Sequence, residues 1–116
     1  MVDVRGNYTF QTGGARRLDG TTGTMPLSIF RVLSDGTMDA RLADHPVEGR
    51  YSAATQSIQL AHGVGASRVF GTFYDGFAIL DDQGGVCGLA GMFEERDALR
   101  DCRGSWYAVR TGPVAI

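Results

Sequence analysis

The stretch RVFGTFYDGFAILDDQGGVCGLAGMF, Arg68 to Phe93, has the aromatic and aliphatic density of a protein core. Gly71, Gly76, Gly84, Gly85, Gly88 and Gly91 nevertheless punctuate it. Glycine inside a strand costs backbone entropy and packs nothing, so its repeated use there marks places where the backbone must bend sharply or be approached closely. The chain therefore has to be one in which strands curve. In VCGLAGMF, Gly88 and Gly91 lie three apart and fall on opposite faces, one relieving crowding inside a curved wall and the other outside it. Gly71 shares a face with Val69 and Phe73. A second reading of the same letters is that the glycines let a ligand come close to the backbone.

The rest of the chain supplies the strands. No long segment carries a 3.6-residue period; short alternating runs divided by turn residues recur instead. GNYTFQ sets Tyr8 and Phe10 against Asn7, Thr9 and Gln11, and TGGARRLDGTTGT, residues 12–24, follows as a long loop. PLSIFRVL is a strand with Pro26 at its edge. SDG turns it into TMDARLA, with Met38, Ala40 and Leu42 on one face and Thr37, Asp39 and Arg41 on the other. DHPVEG reads as a connector. RYSA and SIQLAH form a second hairpin, with Ile58, Leu60 and His62 on one face. RVFGTFY, FAILD, VCGLAGMF and GSWYAVR complete the set. EERDALRDCRG, Glu94 to Gly104, has helix formers, acids in its first turn and a terminal glycine, which predicts one or two helical turns.

At 116 residues the chain is expected to be one domain, residues 1–116. Short antiparallel strands in a meander leave two edges and a whole face unburied unless they fold over or close. The expected fold is all-β: a small antiparallel up-and-down β-barrel of about eight strands with at most one short helix. A two-sheet β-sandwich is the alternative.

The strand openings GNYTF, GRYSA, GTFY and GSWY repeat a glycine followed by aromatics along the meander. In this the chain resembles calycin-type barrels, the lipocalin-like and avidin-like group, over most of its length. GTFYDGFA…GLAGMFE is similar to the GxFYGPxAxExGG hairpin of transferrin-binding-protein-type surface barrels, although Asp75 interrupts the FYG and the acidic pair after the alanine is absent. Neither resemblance assigns a binding residue to this chain.

Composition narrows the chemistry. All 11 basic residues are arginine, which fits a GC-rich bacterial coding bias and leaves no lysine for a Schiff base. Net charge is −2, so no electrostatic attraction to nucleic acid or an anionic membrane is expected. MVDVRGNYTF lacks the basic and apolar regions of a signal peptide and no apolar run reaches the ~20 residues of a membrane helix, so the expected location is the cytoplasm. There two free thiols are expected of Cys87 and Cys102, whose spacing does not suit zinc. Cys87 reads as a structural thiol.

No nucleophile sits in a Gly-x-Ser-x-Gly turn, and neither the DDQGG nor the LSDG segment has calcium-loop spacing. Asp44, His45 and Glu48 could hold a divalent ion weakly or form a solvated turn. TGGARRLDG lacks phosphate-loop context. His62 ends an apolar face beside GVGA, as a ligand-facing histidine at a barrel rim does, and as a histidine bonded to a loop carbonyl does. Trp106 and Tyr107 point to opposite faces, so one of them, with Tyr74 or Phe70, could begin an exposed aromatic patch.

Three functions are carried forward. The first is a non-enzymatic domain without a cofactor that binds a small apolar molecule at the barrel mouth, with His62, Phe73, Tyr74, Trp106 and Tyr107 as ligand-binding residues. The second is a protein-interaction module, such as an inhibitor, an immunity-type protein or a homodimer subunit, using the outer sheet and the 12–24 loop. The third is a barrel enzyme using His62 with a nearby carboxylate. Inward Gly71, Ala40, Ala90 and Gly88 would leave room for a ligand; converging Phe30, Phe73, Phe77, Met92 and Trp106 would fill the space.

Overall fold

The computed structural model describes residues 2–13, 24–64, 71–96 and 101–113. Eight strands follow one another: β1 (Gly6–Gly13), β2 (Thr24–Val32), β3 (Thr37–Leu42), β4 (His45–Ser52), β5 (Ser57–His62), β6 (Gly71–Leu80), β7 (Val86–Arg96) and β8 (Asp101–Gly112). Each pairs antiparallel with the next, and β8 pairs with β1, so the sheet closes as an up-and-down barrel rather than a sandwich. Among the described residues no helix is long and apolar enough to cross a membrane.

The helix expected over Glu94–Gly104 is not formed by its described residues. β7 runs through Arg96, β8 starts at Asp101, and Glu94↔Arg103, Glu95↔Cys102 and Arg96↔Asp101 are rungs of the ladder. Cross-strand pairing overrides the local helix propensity, and the Glu94 carboxylate accepts hydrogen bonds from both Arg96 and Arg103. Asp97–Arg100 lie outside the described residues. DHPVEG is not a connector either: Ala43 and Asp44, both at positive φ, make a two-residue hairpin turn, and His45 and Pro46 already belong to β4.

Alternation decides the interior. Tyr8, Phe10 and Thr12 of β1, Met38, Ala40 and Leu42 of β3, and Ile58 and Leu60 of β5 are buried, while the residues between them face outward. Charged Asp39, Arg41, Glu48 and Arg50 lie on the outer wall. Of the bulky residues that could have filled the space, only Trp106 points in; Phe30, Phe77 and Met92 are exposed. Of the small ones only Ala40 is inward. Gly71, Gly88 and Ala90 pair with outward neighbours and so belong to the outer face.

Two of the interior glycines, Gly76 and Gly91, stand opposite each other on β6 and β7 and in one rung with Trp106. A Cβ on Gly91 would overlap the Asp75 carbonyl, and one on Gly76 would overlap the Ala90 carbonyl and come within 2.8 Å of the Trp106 ring. The indole, 1% exposed, occupies this notch. Its Nε1–H donates to the carbonyls of Asp75 at 3.2 Å and Met92 at 3.1 Å. It stacks on Phe10 at 5.3 Å, and Tyr74 meets Phe10 edge-on at 5.0 Å. Three aromatic rings thus occupy the barrel's centre.

The lower end carries the turns after β2, β4 and β6, and is closed by buried Val4, whose carbonyl accepts a 2.6 Å hydrogen bond from the Tyr8 hydroxyl. Burial pushes the Tyr8 hydroxyl pKa up to about 12. Cys87, a free thiol, lies near this end, next to the register shift between β6 and β7. Cys102 pairs with Glu95, and Gly88 pairs with Val109 seven rungs below, too far for the ~7 Å that a disulfide spans.

The notch predicts the cost of removing the indole. Trp106→Phe leaves two wall carbonyls without their donor and opens a void, which should cost about 2–4 kcal/mol and lower the melting temperature by ~10 °C or more. Tyr107→Phe, on the opposite face, should move it little. Thermal unfolding followed by circular dichroism compares the two; equal effects would mean that the notch is not what holds the wall.

Candidate functional site

The upper end of the barrel is built differently from the lower. The connections after β1, β3, β5 and β7 leave from it. Its last inward rung across three strands is His62 of β5, Thr72 of β6 and Glu95 of β7. Side chains opposite one another on neighbouring strands stand about 4.5–5.5 Å apart at Cβ, so an imidazole, a hydroxyl and a carboxylate are held side by side. The rung beneath is Leu60, Tyr74 and Phe93, all buried, with Gly104 of β8 opposite Phe93. A polar rim therefore stands on an aromatic floor.

The polar groups of this rim are incompletely satisfied. Thr72 Oγ1 donates to Glu95 Oε1 over a long 3.4 Å, while Glu95 Oε2 is buried with no hydrogen-bond partner. Thr12, near the upper end of β1 and 3% exposed, has a buried hydroxyl that is also without a partner. One further atom of this kind, the Tyr51 hydroxyl, lies towards the lower end of β4. Buried polar atoms left unpaired cost roughly 1–3 kcal/mol each; of the three among the described residues, Glu95 Oε2 stands in the rim, while Thr12 lies in register with Trp106 and Gly91, four residues below Glu95. The His45 ring lies 5.8 Å from that of His62, at the rim.

Of the ligand-binding candidates, His62, Tyr74 and Trp106 come together in the interior, at the rim, the floor and the centre respectively. Phe73 and Tyr107 stand on the outer wall. The Arg96 guanidinium covers the Phe73 ring at 5.3 Å, and the Tyr107 hydroxyl donates to Gln11 at 2.8 Å. Tyr74 and Tyr107 cannot share the aromatic patch considered for them, because they lie on opposite faces; Phe70 lies outside the described residues. Asp44, His45 and Glu48 diverge, since Glu48 pairs with Ala61 on the outer wall. Among the described residues no three His, Cys, Asp or Glu side chains cluster as a metal site would need.

Glu95, Thr72 and Thr12 were not singled out by the sequence. Thr12 falls in the expected 12–24 loop and Glu95 in the expected helix. The signal that finds Glu95 is alternation continued from Phe93. Comparison with protein-family models, with characterised proteins and with solved structures gave no match to this chain.

The unpaired hydroxyl gives a direct test. Thr12→Val keeps the shape and removes the polar atom, so it should raise the melting temperature by several degrees, corresponding to about 1 kcal/mol. A lower melting temperature would mean that the hydroxyl is already satisfied.

Proposed function

We propose that this chain is a non-enzymatic binding barrel of calycin type that takes one small, largely apolar molecule bearing a hydrogen-bond donor at its upper mouth. The observation that carries this reading is the buried Glu95 Oε2, unpaired and in the same rung as His62 and Thr72, directly above Tyr74 and Phe93. A site with apolar walls and a few convergent polar groups is the usual design for a small ligand. A donor on the ligand would satisfy the carboxylate oxygen, and its apolar body would lie against the Tyr74 and Phe93 floor. The centre, filled by Phe10, Tyr74 and Trp106, limits how deep such a molecule goes and so limits its size. The lower end has a cavity of its own, about 580 Å³, lined by Val4, Val32, Leu33 and Tyr51, but the carboxylate beside it, Asp3, is already paired with Arg5.

Ligand at a hundredfold excess over its dissociation constant adds about 2.7 kcal/mol of stability, a melting shift on the order of 10 °C for a domain of this size. A thermal-shift series with benzylamine, indole and octylamine, beside toluene as the donor-free control, should give at least one shift that toluene does not. Glu95→Gln and His62→Ala should each reduce it, while Phe73→Ala on the outer wall should not. A flat series, or a shift indifferent to Glu95, would overturn the mouth as the binding site.

A further inference from the structure

The outer wall of β6, β7 and β8 is unlike the rest of the barrel's surface. Phe77, Ile79, Met92, Tyr107 and Val109 are all large, apolar or aromatic, and 40–60% exposed, and the register places them together. Ile79 and Val109 flank Gly88 in one rung, and Phe77 and Tyr107 flank Ala90 in another. The middle strand thus carries only a hydrogen and a methyl between two pairs of tall side chains, so a furrow runs along β7. Met92, 59% exposed, stands as a knob at its upper end. A contiguous apolar patch of this kind on a soluble domain marks an interaction surface, and exposed methionine and aromatic residues are typical of one.

The shape of the face names its occupant. Met92 and Gly88 lie on the same strand, on the same face, on either side of Ala90. A two-fold axis across β7 at Ala90 lays a second β7 antiparallel over the first, and each Met92 then enters the other copy's furrow at Gly88. Knob and furrow on one patch, related through its centre, are the self-complementarity that an isologous contact requires. Size agrees. β6, β7 and β8 are the barrel's long strands at 10, 11 and 12 residues. At about 4.8 Å between strands and 3.3 Å per residue, they present roughly 500 Å² in projection. Interdigitating side chains raise the accessible area above that, within reach of the ~800 Å² per partner of a stable complex.

We infer that the chain forms a symmetric homodimer through the outer face of β6–β8, with Met92 of each copy seated in the Gly88–Ala90 furrow of the other. This contact is separate from the mouth and does not depend on it. Sedimentation equilibrium of the full chain at micromolar concentrations should give about twice the 12.4 kDa monomer mass. Met92→Arg should raise the dimer dissociation constant by about a hundredfold or more, the size of a central hot spot. Ala90→Leu makes the face more apolar but fills the furrow, so it should also break the dimer, which general stickiness would not predict. Val109→Arg serves the same purpose should Ala90→Leu fail to fold. Phe30→Arg, at an exposed aromatic on β2, should leave the dimer intact. A monomeric wild type, or a dimer that survives Met92→Arg and Ala90→Leu or Val109→Arg, overturns the inference.

Discussion

The Trp106 indole N–H, shared by the carbonyls of Asp75 and Met92, is the contact on which the barrel's shape depends. Those carbonyls flank Gly76 and Gly91, where the two strands come so close that neither position accepts a Cβ. The glycines allow the bend, and the indole satisfies the wall carbonyls beside it and fills the space that the missing side chains leave. Phe10 and Tyr74 then pack on the indole, and the apolar layers above and below pack on them. This answers why a core-like segment is rich in glycine: two of its glycines make the socket for the chain's one tryptophan.

From that centre the barrel is graded along its axis. Downward, the layers end in Val4 and the Tyr8 hydroxyl, whose hydrogen bond to the Val4 carbonyl seals a polar group inside. Upward, they end in a rung of His62, Thr72 and Glu95, where one carboxylate oxygen of Glu95 is buried without a hydrogen-bond partner. Folding alone does not select for such an arrangement, since it lowers stability and adds no packing. An unpaired carboxylate oxygen at this end and an unpaired Tyr51 hydroxyl towards the other are groups that a merely structural barrel does not need.

Much of this was legible in the sequence, through alternation. Met38, Ala40 and Leu42 face inward as their spacing requires, as do Tyr8 and Phe10, and His62 follows Ile58 and Leu60 to the rim. What was not legible has local causes. The register shift between Ile79 and Leu80 opposite Val86–Gly88 changes the phase of β7. Counting by twos from Val86 puts Gly88 and Ala90 inside; past the shift, Leu89, Gly91 and Phe93 are inside instead. That one irregularity moves the small residues to the outer wall and makes the furrow. Glu95 was hidden because EERDALRDCRG favours a helix by propensity, and only the partner strand reveals that the alternation continues.

Closure of the ring through β1 and β8 bears on how the protein is made. The pair Asn7↔Gly112 joins residues about as far apart as the chain allows, and Asn7 donates its side-chain amide to the Pro113 carbonyl. On a ribosome, seven strands emerge before the eighth can join them. Until then β1 and β7 are both open edges, and the socket between Gly76 and Gly91 waits for its indole, with the apolar lumen facing solvent. Such a high contact order makes the last step slow, so the nascent barrel spends its longest-lived stage as a curved, unsealed sheet, the stage at which a chaperone or a neighbouring nascent chain competes for it.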